Sequence, residues 1–191
     1  NLSRPTGQFI RSQSVPVNVV TVGRKGRDFM TRANSNVRAV FIDLGDRPTV
    51  MDVAPVARLA IDDYTNGDVD QVFITYTQFV NTAVQRSVME RLLPVEPAVL
   101  EPSQSVGYIY EPFSLAVLDS LLPRFVEMQI YHAILESIGS EQSARMVAMR
   151  NATDNANGLV DDLTLVMNKL RQDSITNELL DLVGGQIALE G

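Results

Sequence analysis

Gly23-Arg24-Lys25-Gly26 is the stretch of this 191-residue chain whose residue types come nearest to chemistry. It follows a strand-like run and opens a helix-like one, so backbone amides and two cations there could cradle a phosphate. Its spacing is neither that of a P-loop nor that of a GxGxxG fingerprint. A plain strand-to-helix turn is the favoured account. Asp43 and Asp46 follow the next strand, where α/β enzymes often place catalytic groups, yet solvated loop positions explain them more simply. His132 has no cysteine and no second histidine near it, which argues against a metal site. Asp161 and Asp162 are neighbours on a helical stretch and point to different sides, which disqualifies them as a catalytic pair. The expectation is therefore no catalytic residue, no metal and no cofactor.

A periodic pattern carries more information than any of these groups. Met149, Ala152, Ala156, Leu159, Leu163, Val166 and Leu170 follow one another at alternating steps of three and four, the spacing of one seam of a coiled coil. Five of the seven are larger than Ala, and burying each is worth roughly 1.5 to 3 kcal/mol. The sum approaches the whole stability of a domain. Helix propensity is no substitute, because most helical stability in proteins comes from packing an amphipathic face. No second stretch of the chain matches the seam, so a partner helix is expected outside these residues.

The elements that must position this seam are legible in outline. "VPVNVVTVG" (15 to 23) and "VRAVFIDLG" (37 to 45) are short β-branched runs closed by Gly, the pattern of buried strands. Each is followed by a helical pattern, "RDFMTRA" and "VMDVAPVARLAIDDY", and that order predicts a parallel βαβ unit. "DQVFITYTQ" (70 to 78) supplies a third strand, while 83 to 95 and 106 to 111 supply edge strands around a Pro-rich loop. The fold class expected is α/β: a small Rossmann-like domain at 1-112 with a largely parallel sheet, then a long C-terminal helix at 113-191 that is half of an antiparallel coiled coil. Apart from Pro123, nothing from Pro112 to Val183 forbids helix, and some 70 residues of helix span on the order of 100 Å. Gly139-Ser140 could instead turn the helix back on itself. A continuous helix is favoured, because the seam extends backwards through Arg145, Gln142, Ile138, Leu135, Tyr131 and Met128 without a slip of phase.

Composition bounds the rest. The chain has 45% hydrophobic residues and a net charge of -7, which argues against general nucleic-acid binding. Residues 113 to 191 hold 5 basic and 11 acidic side chains, net -6, against 11 and 12, net -1, in residues 1 to 112. The absence of cysteine rules out a disulfide framework and fits a reducing compartment. The longest apolar runs fall far short of the ~20 residues that cross a bilayer, so any membrane association is expected to go through partners. The chain opens Asn-Leu-Ser, without an initiator Met or a leader, and is expected to be a piece of something longer.

"SEQSARMVAMRNATDNANGLVDDLTLVMNKLRQDSIT" (140 to 176) closely resembles the C-terminal helix of the gamma subunit of the rotary ATP synthase. "VTVGRKGRDFM" (20 to 30) and "LLPRFVEMQIY" (121 to 131) resemble earlier segments of that subunit in the same order. The resemblance implies a rotor, not an enzyme: an antiparallel coiled coil inside the ring of alpha and beta catalytic subunits, with the α/β domain below joined to epsilon and to the membrane c-ring. The partner helix it implies is the subunit's own N-terminal segment, which this chain lacks. Rotation would change nucleotide affinity in each beta subunit in turn, a coupling free energy between distant sites. Arg171, Gln172 and Thr176 match the family's polar contacts to the catalytic subunits, with Lys169 beside them and Arg145 matching a second contact region. Arg suits such contacts because it can bond acidic loops in a bidentate manner. The chain departs from the family at Asp173, Leu170 and Met167 and in its tail, "GGQIALEG". The implied location is peripheral, on the cytoplasmic face of a bacterial plasma membrane, as part of a proton-transporting complex. Two other readings stay open on the residues alone: a free-standing α/β nucleotide-binding domain, and a scaffold that homodimerises through its C-terminal helix.

Overall fold

The computed structural model describes residues 2-96 and 114-190. The expected strand at 106 to 111 lies outside the described residues.

The βαβ unit forms as the pattern predicts. Strand β1 (Asn18–Val22) pairs in parallel with β2 (Asn36–Phe41), and helix α2 (Arg24–Arg32) makes the crossover. The register shifts between Val19 and Val20. Val19 and Thr21 are buried, whereas Val20 and Val22 on the other face are exposed. The strand is therefore half-buried, with one face covered among the described residues, although its unbroken β-branched run reads as buried on both. Gly23 closes the strand at φ +98°, a left-handed conformation that favours glycine.

Strands β3 (Val72–Phe79) and β4 (Gln85–Leu93) form an antiparallel hairpin. A connection this short cannot make the crossover that parallel pairing needs. The Asn81 carboxamide oxygen builds the turn by accepting bonds from Ala83 N at 3.0 Å and Val84 N at 2.8 Å. Pairing among the described residues is thus divided between one parallel and one antiparallel ladder, where the sequence predicts a largely parallel sheet.

Helix α3 (Val50–Thr65) lies between the two ladders in sequence. The Asp52 carboxylate secures its start, accepting from Thr49 N at 2.7 Å and Thr49 Oγ1 at 2.8 Å. Val53, Val56 and Ala57 on one face of α3 meet Leu92 and Leu93 of β4 and Val126 and Ile130 of the terminal helix in a single apolar cluster. At the far end of α3, buried Asp63 accepts from Arg38 of β2 at 2.7 Å.

A short helix that the sequence reading does not foresee, α1 (Ser3–Ser12), precedes β1. Phe9 meets the edge of Phe73 with ring centroids 5.2 Å apart. Gly7 lies close enough to Phe29 of α2 that an added Cβ would stand 3.4 Å from the ring.

The terminal helix, α4 (Ser114–Glu190), is continuous and contains Pro123. It runs through Gly139-Ser140 unbroken, as the preserved phase of the seam predicts. Compactness divides the chain within this helix, into residues 1 to 143 and 144 to 191.

Candidate functional site

Helix α4 carries two different faces. In the first unit Val126, Ile130, Ala133 and Ser140 are buried, a stripe at helical spacing that packs on α3 and the hairpin. The backward extension of the seam is set off from this stripe around the helix: Met128, Leu135, Gln142 and Arg145 are exposed, while Ile138 and Tyr131 are half-buried and Tyr131 reaches the core cluster. The seam phase and the packing phase are distinct.

In the second unit the seam is bare. Met149, Leu159, Leu163, Val166 and Leu170 are between 53% and 64% exposed, and Ala152 and Ala156 are exposed as well. No described residue of this chain covers them. An apolar row of this length facing water marks a candidate binding surface, since soluble chains rarely expose a contiguous patch of such size.

The row is also wider than the heptad spacing alone suggests. Met146, Val160 and Met167 each follow a seam position by one residue and are about 60% exposed. They form a third apolar row beside the seam, broken by Thr153. The signal was present in the heptad phase, as apolar residues at the e position, which is the position that widens a two-row seam into a broad face. Towards the end of the helix Asp173 and Asn177 interrupt the seam, and Leu179, Leu180, Leu182 and Val183 are all exposed.

Lys169, Arg171, Gln172 and Thr176 are exposed, as is Arg145. At about 100° per residue, Lys169, Gln172 and Thr176 share one stripe, while Arg171 lies on the opposite flank of the seam. The structure thus groups three of the four and separates the fourth. The Thr176 hydroxyl donates to Gln172 O at 2.9 Å, which fixes it along the helix.

The remaining polar candidates resolve into local contacts. Arg24 of the Gly-Arg-Lys-Gly loop donates to Asp43 at 2.7 Å, with both side chains mostly exposed. One candidate cation and one candidate acid thereby neutralise each other. His132 is exposed, with its Nε2 3.9 Å from Glu136 Oε1, and no group of metal-ligating residues is found among the described residues. A cleft of about 350 Å3 is lined by Tyr76, Glu90, Arg91, Phe125, Gln129 and His132, among others. Burial, and then the charge of Glu90, hold the Tyr76 hydroxyl above its ordinary range, so it stays neutral at physiological pH. Arg91 in the same cleft is already paired with Glu96.

A long helix with an uncovered three-row seam, together with a small α/β unit, defines a class: a subunit whose helix is built to be completed by a partner. A family model described as ATP synthase matches residues 1–189. The chain is 64% identical over 189 residues to the ATP synthase gamma chain of Dehalococcoides mccartyi, covering 99% of this chain and 66% of that one. It is 49% identical over 197 residues to the gamma chain of Herpetosiphon aurantiacus, covering 99% and 67%. The chain belongs to the ATP synthase gamma-chain family, and it spans about two thirds of the length of these relatives.

Among solved structures, a chain of the Euglena gracilis mitochondrial ATP synthase, OSCP/F1/c-ring, aligns with a TM-score of 0.62 at 20% identity, over 98% of this chain and 67% of that one. A chain of the Tetrahymena thermophila mitochondrial ATP synthase central stalk and c-ring aligns at 0.60 and 20% identity, over 79% and 67%. At these identities the likeness establishes the fold. No described helix is long and apolar enough to cross a membrane.

Proposed function

We propose that this chain is the central-stalk rotor of an ATP synthase, coupling rotation of a membrane ion-driven ring to conformational changes in the catalytic beta subunits. The observation that carries the reading is the seam from Met149 to Leu170, apolar at heptad spacing and bare throughout. Residues 113-191 act as the shaft and residues 1-112 as the foot. The alpha and beta subunits surround the shaft; epsilon and the c-ring meet the foot. A helix from the part of the gamma chain that this sequence does not span covers the seam.

The chain performs no bond chemistry. It acts by presenting a different face to each beta subunit as it turns, so that nucleotide affinity differs among them. Lys169, Gln172 and Thr176 on one stripe, Arg171 on the other flank and Arg145 below make the polar contacts to the catalytic subunits. Membrane association is peripheral, on the cytoplasmic face of a bacterial plasma membrane, and runs through partners alone.

Replacing Leu159 and Leu163 together by Asp tests the reading. Both side chains are exposed in this chain, so its own unfolding free energy should change by no more than about 0.5 kcal/mol. In the assembled synthase, ATP-driven proton pumping should fall at least tenfold. Unimpaired pumping in an assembled complex would defeat the proposal. Calorimetric titration with ATP and ADP separates the rotor from a nucleotide-binding domain, which would bind at micromolar concentration. A chain that forms stable pairs of itself through the seam would point to the scaffold.

A further inference from the structure

The edge of β3 that faces away from β4 has its backbone groups bonded by side chains of helix α4. Thr77 N donates to Ser137 Oγ at 3.2 Å, and Thr77 O accepts from Ser140 Oγ at 3.1 Å. Phe79 N donates to Glu136 Oε2 at 2.6 Å. Just past the strand, Thr82 O accepts from Ser143 Oγ at 3.3 Å. A free strand edge presents a row of unpaired donors and acceptors, and here a helix supplies their partners with hydroxyls and a carboxylate. Ser140 is 3% exposed, so its bond to Thr77 O is sheltered from competing water.

These residues continue the buried stripe of α4. Val126, Ile130 and Ala133 are followed at the same spacing by Ser137 and Ser140, with Glu136 and Ser143 flanking. The chemistry along the stripe changes from apolar to hydrogen-bonding. That change has a mechanical meaning. Apolar burial is non-directional, whereas a hydrogen bond weakens steeply once its angle is lost. Ser143 is also the last residue of the first compact unit, and none of the described residues after it is buried. The directional bonds sit where the helix makes its final attachment to the hairpin.

We propose that Glu136, Ser137, Ser140 and Ser143 form a torque joint, which fixes the angular register of helix α4 against the β3 edge and passes twist between them. Turning the helix by one residue, about 100°, would break every one of these bonds. The backbone that receives the load is held in turn by the β3–β4 ladder from Val72↔Leu93 to Phe79↔Gln85. The four act as positioning residues, and the inference rests on the rotor reading.

The test uses the full-length chain in the assembled synthase, in two variants: Ser137→Ala with Ser140→Ala, and, at more exposed positions that leave the core intact, Glu136→Ala with Ser143→Ala. Amide exchange at Thr77 and Phe79 reports whether the bonds are lost, and single-molecule angular fluctuation of the driven stalk reports its stiffness. The expected result is faster exchange at the amide concerned, together with at least a twofold broadening of the angular distribution. Ser137→Thr and Glu136→Gln, which keep an acceptor, should restore both. Faster exchange with an unchanged angular width would overturn the joint alone. A parent complex whose stalk does not turn would defeat the rotor reading, and the joint with it.

Discussion

At the scale of single residues, polar chemistry in this chain serves to pin elements together. Arg38 and Asp63 are the clearest case, because Asp63 is buried and its charge has Arg38 at 2.7 Å, with Asp68 behind at 3.7 Å from the same guanidinium. Removing one partner strands a desolvated charge. Arg38→Met should lower the unfolding free energy by about 1–3 kcal/mol in urea titrations, and a loss below about 0.5 kcal/mol would class it as an ordinary surface substitution. Asp52 offers a second check. Bonds from the Thr49 backbone, and then from its hydroxyl, hold the Asp52 carboxyl below its ordinary 3.8. The folded state therefore binds this proton less readily than the unfolded state. Its contribution is present above pH 3.8 and fades as pH falls through the lower folded value. Asp52→Asn should flatten that acid-side loss, and identical pH profiles for the two proteins would contradict it. Neither Arg38–Asp63 nor Arg24–Asp43 was legible in the sequence, because the partners lie 25 and 19 residues apart and only the tertiary fold brings them together.

At the scale of elements, legibility followed the range of the forces involved. The α2 crossover, α3 and α4 are written in local periodicity, and continuous α4 follows from a phase that survives Gly139. That glycine gives a direct test. It has no positive φ, and nothing lies within 4 Å of where its Cβ would be, so Gly139→Ala should stabilise the chain by about 0.5–1 kcal/mol. A destabilised variant would mean that the helix bends there. Helix α1 is not legible in the sequence because Pro5 and Gly7 break its propensity within ten residues; what holds it is tertiary, through Phe9 on Phe73 and Gly7 on Phe29. The division of pairing into a parallel and an antiparallel ladder was equally hidden. It depends on which edges meet, and the residues of a strand such as β4, QRSVMERLL, do not specify its neighbour.

At the scale of the whole molecule, the chain is a core plus an unsatisfied surface. The first unit buries a core of Val53, Ala57, Leu92 and Val126 with their neighbours, whereas the seam beyond Ser143 buries none of its described side chains. The seam itself is legible because a heptad is a one-dimensional pattern, and its third row at Met146, Val160 and Met167 lies in the same frame at the e position. The grouping of Lys169, Gln172 and Thr176 apart from Arg171 needs only helix geometry.

The central claim is that a partner helix covers the seam in the assembled synthase. These 191 residues hold no cysteine, so Leu163→Cys adds one thiol among them at a position that is 59% exposed, and Asp161→Cys on the opposite side serves as control. Thiol labelling rates measured on the chain alone and within the complex decide the matter. Protection of position 163 by more than tenfold on assembly, with position 161 changed only a few-fold, is the predicted result. Equal labelling of position 163 in both states would contradict it.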